Sequence, residues 1–201
     1  MPILKGQYSG LLFMFKKILL GLQEFVKMAA IAIVIIVAVR YFLIQPFYVK
    51  GSSMEPTFSN YEYLIIDELS YHFNDPQRGQ VVVFRYPRDP QEHFIKRVIG
   101  LPGETVQIKD NHIYIYNEEY PNGYILKENY LSEDVVTFAN NENLIKLGAD
   151  EYYVLGDNRE ASQDSRFFGP VKRSFITGKV WIRGFPLDRL DIFTSKDLPV
   201  Y

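Results

Sequence analysis

Met28 to Ile44 reads MAAIAIVIIVAVRYFLI, an apolar run whose single charge, Arg40, lies near its C-terminal end. A bilayer-spanning helix needs about 17–25 mostly apolar residues. This run qualifies if Arg40 snorkels its guanidinium to the interface. Lys5, Lys16, Lys17 and Lys27 precede it against a single acid, Glu24, and few basic residues follow closely. That asymmetry predicts a cytoplasmic N-terminus and an extracytoplasmic remainder. A cleaved signal peptide is the rival reading, since the uncharged core Met28 to Val39 has the length of such a segment. The residues that follow, RYFLIQPF, are bulky where a cleavage site needs small side chains, so an uncleaved anchor is expected. The expected organisation is a cytoplasmic segment 1–27, amphipathic over GLLFMFKKILLGLQEFV, an anchor 28–44, and an outer domain 45–201.

The outer part differs in charge and in pattern. It holds 17 basic and 23 acidic side chains, and the whole chain has a formal charge of -2, which excludes a broad electrostatic case for nucleic acid. The chain contains no cysteine, which removes disulfides, thiol chemistry and Cys-ligated zinc. After Gln45-Pro46 the apolar residues alternate. EYLIID, GQVVVFRY, HFIKRVIG, ETVQIKD, HIYIY, YYVLGD and GKVWIRG are short runs rich in β-branched and aromatic residues, bounded by Gly, Pro, Asn and Asp. KDNH (Lys109 to His112) reads as a hairpin turn, and Asn129 to Lys146 as a loop or insertion. The fold class expected is mainly β: an antiparallel sheet or barrel-like domain preceded by one transmembrane helix.

GSSMEPTF (Gly51 to Phe58) places two serines shortly after the anchor. A serine hydroxyl becomes a nucleophile only when a neighbour takes its proton. The three histidines, His72, His93 and His112, lie in undistinguished contexts. A triad of Ser53, His93 and Asp157 can be written down, but no spacing supports it. Lys96 is different, because strand alternation places Phe94, Lys96 and Val98 on one face and Arg97 on the other. A lysine between two apolar neighbours is a candidate for burial, and burial lowers its pKa toward that of a neutral base. A lysine at a solvated strand end is the equal alternative from periodicity alone. GDNREASQDSRFFGP (Gly156 to Pro170) gathers Asp, Ser and Arg between glycines. It lacks the ligand spacing of a calcium loop, and reads either as a solvated turn or as a polar network of carboxylate–guanidinium pairs.

Taken together, SMEPT, KRVIGLPGE and GDNREASQDSR, with the weaker EYLIIDELSY, resemble the sequence boxes of bacterial type I signal peptidases (leader peptidases). The order also agrees: anchor, nucleophile box, lysine box, then the Gly-Asp-Asn-Arg segment. The single anchor and small outer domain are similar to the Gram-positive type, and the likeness covers roughly residues 28–190. It implies Ser53 as nucleophile rather than Ser52, and Lys96 as general base. It implies that Ser162 hydrogen-bonds the lysine amine, that Arg97 pairs with Asp157 and Asp164 with Arg166, and that Met54 and Pro56 shape the turn. Some members carry a hydroxyl residue two positions before the nucleophile as an oxyanion donor. Here that position is Gly51, as in Gram-positive-type members, so the Ser53 N–H and one further donor would serve.

The resemblance also implies a membrane-bound serine endopeptidase that cuts exported preproteins after small residues at -1 and -3, with no cofactor or metal, working as a monomer. Substrate would bind as an extended strand. Phe47, Tyr48, Met54 and Phe58 either seat the domain on the lipid bilayer or pack in its core. Two other readings remain. Degenerate members of the family assist pilus or surface-protein assembly without catalysis, and self-cleaving SOS repressors use a similar Ser-Lys pair beside a DNA-binding region, which residues 1–44 do not resemble.

Overall fold

The computed structural model describes residues 3–42, 44–132, 134–139 and 144–193. It begins with helix α1 (Ile3–Phe42) and strands β1 (Ile44–Tyr48), β2 (Tyr63–Asp67), β3 (Val81–Tyr86) and β4 (Asp89–Gly100). Strands β5 (Thr105–Lys109), β6 (His112–Tyr116), β7 (Tyr124–Ile125), β8 (Ile145–Lys146) and β9 (Glu151–Leu155) follow. Helix α2 (Ser165–Phe168), β10 (Val171–Lys172), β11 (Ile176–Phe185) and β12 (Asp191–Ile192) complete the order.

Residues 1–43 and 44–201 form two separate units. No proline interrupts the first between Pro2 and Pro46, and α1 runs unbroken for 40 residues, a length of about 60 Å at 1.5 Å per residue. Its stretch Lys16–Val37 is long and apolar enough to cross a membrane. Leu19, Phe25, Ile31, Val34 and Ile36 are all exposed along it. A helix apolar on every side needs either a protein core or lipid around it. Its bounds differ from the expected 28–44 segment: no break separates residues 27 and 28, and Ile44 already pairs with Asp67 in the β domain.

The second unit is antiparallel throughout. One sheet has the order β1-β2-β11-β3-β4-β9-β10, with β12 added on β11, and a smaller sheet has the order β7-β6-β5-β8. Pro46, which has no N–H to donate, sits on the edge strand β1. In β3 the run Val81-Val82-Val83-Phe84 is buried without a gap, the pattern of a strand covered on both faces. Val81 and Val83 pack with Met54, Phe58, Leu64 and Ile66, whereas Val82 and Phe84 pack with Val98, Tyr152 and Val154. A third core, Val106, Ile108, Ile113 and Ile115 against Ile99 and Leu155, joins the smaller sheet to β4 and β9. The β5–β6 hairpin turns through Asp110 and Asn111 at φ 50° and 63°, the left-handed pair that a two-residue loop requires.

β2 and β11 approach closely at Gly178. A Cβ there would stand 2.6 Å from Ile66 Cγ2 and 2.7 Å from the Asp67 carbonyl oxygen, and a carbonyl in a paired strand cannot swing away. Gly178→Ala should lower unfolding stability by about 1–3 kcal/mol in urea titration. Gly184→Ala in the same strand, where the nearest atom would be 3.8 Å away, should change it little.

Candidate active site

Ser53 lies in the turn between β1 and β2, and Lys96 near the end of β4. The Lys96 Nζ is 2.7 Å from Ser53 Oγ and donates a second hydrogen bond to the Ile95 carbonyl at 2.9 Å. The lysine is 3% exposed. Its i-2 and i+2 neighbours, Phe94 and Val98, belong to one core, and the aromatic ring of Phe94 lies 5.4 Å from Nζ. Burial pushes the amine down from its ordinary value to about 8, while the Asp164 and Asp157 carboxylates pull it back up. A cavity of about 560 Å³ opens over the pair, lined by Phe47, Val49, Leu64, Val83 and Ile95 as well as Ser53 and Lys96. This arrangement offers a hydroxyl, an amine able to accept its proton near neutral pH, and an apolar trough beside both.

The Gly156–Arg166 segment supports the pair from below. Arg97 grips Asp157 through two bonds, Nε to Oδ1 at 2.8 Å and Nη2 to Oδ2 at 2.6 Å, with both side chains buried. Asp157 also accepts from the hydroxyl of Thr57 at 2.5 Å, so the ion pair reaches the serine turn itself. Arg166 holds Asp164 in the same two-bond manner, at 2.8 Å each. Gly156 admits this closeness, because a Cβ on it would meet the Ser53 carbonyl oxygen at 2.5 Å and Ser162 Oγ at 2.1 Å. Met54 is a core side chain, and Pro56 follows a cis peptide bond.

Comparison with known proteins agrees with this geometry. Residues 22–185 match the family described as "Signal peptidase, peptidase S26". A "Probable signal peptidase I-2" of Synechocystis sp. is 36% identical over 86% of this chain and 77% of its own length. "Signal peptidase I" of Leptolyngbya laminosa is 39% identical, covering 84% and 82%. "Signal peptidase I P" of Bacillus subtilis subsp. natto is 35% identical, covering 83% and 91%. The chain belongs to the S26 signal peptidase family.

One expectation drawn from that family is not met by this geometry, and two readings weighed from the sequence are resolved by it. Ser162 makes no hydrogen bond to Lys96: its hydroxyl is pressed against Gly156, buried and without a partner, while the amine is engaged by Ser53 and the Ile95 carbonyl. Met54 and Phe58 are at most 1% exposed and pack in the core, so they do not face a bilayer; Tyr48 is exposed and Phe47 half-buried. The Ser53, His93 and Asp157 triad does not assemble, since Asp157 is taken by Arg97 and Thr57 and the ring of His93 leans on Phe47. His72 and His112 are exposed beside backbone carbonyls.

Other residues of this site have no role in the sequence reading, although Arg159 lies within the Gly-Asp-Asn-Arg motif. Arg159 is buried and bridges Glu128 and the Thr137 hydroxyl, tying the 128–137 loop to the Gly-Asp-Asn-Arg turn. Tyr130 of that loop lies against the Arg97 guanidinium, 3.9 Å from ring centre to Cζ. The segment Asn129 to Lys146 reads only as a loop or insertion, and nothing in or beside it marks Glu128, Tyr130 and Thr137 as partners of the motif arginines. Asp157→Asn should expose how much the shared pair holds. Removing one charge leaves Arg97 buried without its counterion, and unfolding stability should fall by about 3–5 kcal/mol in urea.

Proposed function

We propose that this chain is a membrane-anchored serine endopeptidase that removes signal peptides from exported preproteins, with Ser53 as nucleophile and Lys96 as general base. The observation that carries the reading is the 2.7 Å contact between Ser53 Oγ and a buried amine whose pKa is lowered to about 8. Neutral Lys96 takes the Ser53 proton as Oγ attacks the scissile carbonyl. The oxyanion is held by backbone donors, each worth about 2.7–4 kcal/mol in comparable proteases. Lys96 then passes the proton to the leaving amine. It next deprotonates a water that hydrolyses the ester, returning the proton to Ser53 Oγ.

The apolar cavity suits an extended chain with small side chains at -1 and -3, and Phe47, Val49 and Ile95 supply the walls. The proposed topology places the N-terminus in the cytoplasm, a single anchor within α1, and the β domain outside the cell membrane, on the lysine bias before the apolar stretch. A non-catalytic assembly factor is disfavoured because both members of the pair are present and in contact.

The test is cleavage of a preprotein with an Ala-x-Ala site by the full chain in detergent. Ser53→Ala and Lys96→Ala should each abolish it while folding is retained; near-normal rate in either would remove the pair from the mechanism. Because burial lowers the Lys96 pKa, the protonated and inactive form gains below about 8. The rate should therefore fall about tenfold per pH unit well below that point and level off above it. A profile flat from pH 5 to 9 would point to another base.

A further inference from the structure

We infer that Asn158 positions the oxyanion-binding peptide of the site by holding the two carbonyls that flank the Ser53 nitrogen and α-carbon. This rests on reading Ser53 as the nucleophile. Asn158 Nδ2 donates to the Ser52 carbonyl at 3.1 Å, and the Asn158 backbone N–H donates to the Ser53 carbonyl at 3.1 Å. The side-chain amide is itself oriented, because its Oδ1 accepts from the Ala161 N–H at 3.2 Å. Turning the amide round would lose both contacts.

The consequence follows from peptide geometry. The cis bonds among the described residues are Glu55-Pro56 and Phe185-Pro186, so the Ser52-Ser53 peptide is trans. In a trans peptide the C=O and N–H point in opposite directions. The Ser52 carbonyl accepts from the Glu55 N–H at 3.1 Å as well as from Asn158 Nδ2. This second donor fixes it on the Asn158 side, so the Ser53 N–H turns away from both. That N–H meets no acceptor among the described residues, which leaves it free as a donor beside Ser53 Oγ. A hydrogen bond accepted by a carbonyl also polarises the N–H of the same peptide unit. The neighbouring candidate is committed elsewhere, since the Gly51 N–H donates to Asn60 Oδ1 at 3.0 Å. With no hydroxyl at position 51, orienting the Ser53 peptide carries more of the task. Asn158 is thus a positioning residue that acts through Ser53 and need not touch substrate.

Two variants of the full chain in detergent test this. In Asn158→Ser the hydroxyl still accepts from the Ala161 N–H and the backbone donor stays, but the Ser52 carbonyl keeps only the Glu55 N–H. In Asn158→Asp the shape stays and the donor is lost. Both should lower kcat on a preprotein about 10- to 100-fold, with KM within about twofold. Affinity for a peptide aldehyde, which forms a hemiacetal oxyanion on Ser53, should fall by the same factor as kcat. Affinity for a non-cleavable peptide of the same sequence should not change, and in Asn158→Ser the pH midpoint should stay in place. Unchanged kcat in both variants would overturn the inference. So would a loss shared equally by the aldehyde and the non-cleavable peptide, which marks a general structural defect. Ser53→Ala measured alongside separates the two readings. If Ser53→Ala still cleaves, the nucleophile assignment is wrong; if it is inactive while the Asn158 variants are normal, only the positioning role is wrong.

Discussion

The buried Arg97–Asp157 pair is the joint on which the site depends. Arg97 belongs to β4, next to Lys96; Asp157 belongs to the turn after β9; and Thr57, bonded to Asp157, belongs to the serine turn. Three chain segments distant in sequence therefore meet at one carboxylate. A buried pair of this kind contributes little net stability against an apolar substitute, because desolvation offsets the attraction. Its value is geometric. Two parallel N–H···O bonds allow one orientation of carboxylate to guanidinium, and the 2.7 Å Ser53–Lys96 contact requires β4 and the serine turn to be in that register.

The same strand surrounds one cation with partners and leaves its neighbour with few, its pKa lowered to about 8. Arg97 has a carboxylate, the Gly79 carbonyl and the Tyr130 ring around its guanidinium, so burial does not strip it of partners. Lys96, one residue earlier, has a serine hydroxyl and a single backbone carbonyl. Alternation along the strand sends the two side chains to different surroundings. The opposite fates of adjacent basic residues are thus a property of β4, not of the residue types.

Much of the outer fold was legible in the sequence because its strands announce themselves. The VVVF run and the alternating TVQIK and HIYIY segments became β3, β5 and β6, with the Asp-Asn turn between the last two. The two-residue strands β7, β8, β10 and β12 were not legible, since so short a segment carries no period. The ends of α1 are a separate matter from the anchor read from hydropathy: hydropathy marks where a helix can meet lipid, whereas the helix itself continues through the proline-free stretch. At the site, Ser53, Lys96 and the Arg–Asp partners could be named from the resemblance that their motifs carry. The Ser162 contact could not be judged from spacing, because spacing does not say which way a buried hydroxyl packed against Gly156 turns. The Arg159–Glu128 bridge was invisible because it joins a motif to a loop without one.

The placement of the aspartates completes the electrostatic argument. Asp157 and Asp164 both act on Lys96 in the direction that favours its charged form, against burial. Left free, two carboxylates near a buried amine would hold it protonated and unable to accept a proton. Each is instead matched by an arginine through two bonds, Asp157 by Arg97 and Asp164 by Arg166, and no carboxylate among the described residues forms an ion pair with Lys96. The arginines therefore do more than build the turn. By neutralising the nearest negative charges they let desolvation dominate at the amine, and a lysine can act as a base at physiological pH only where desolvation dominates.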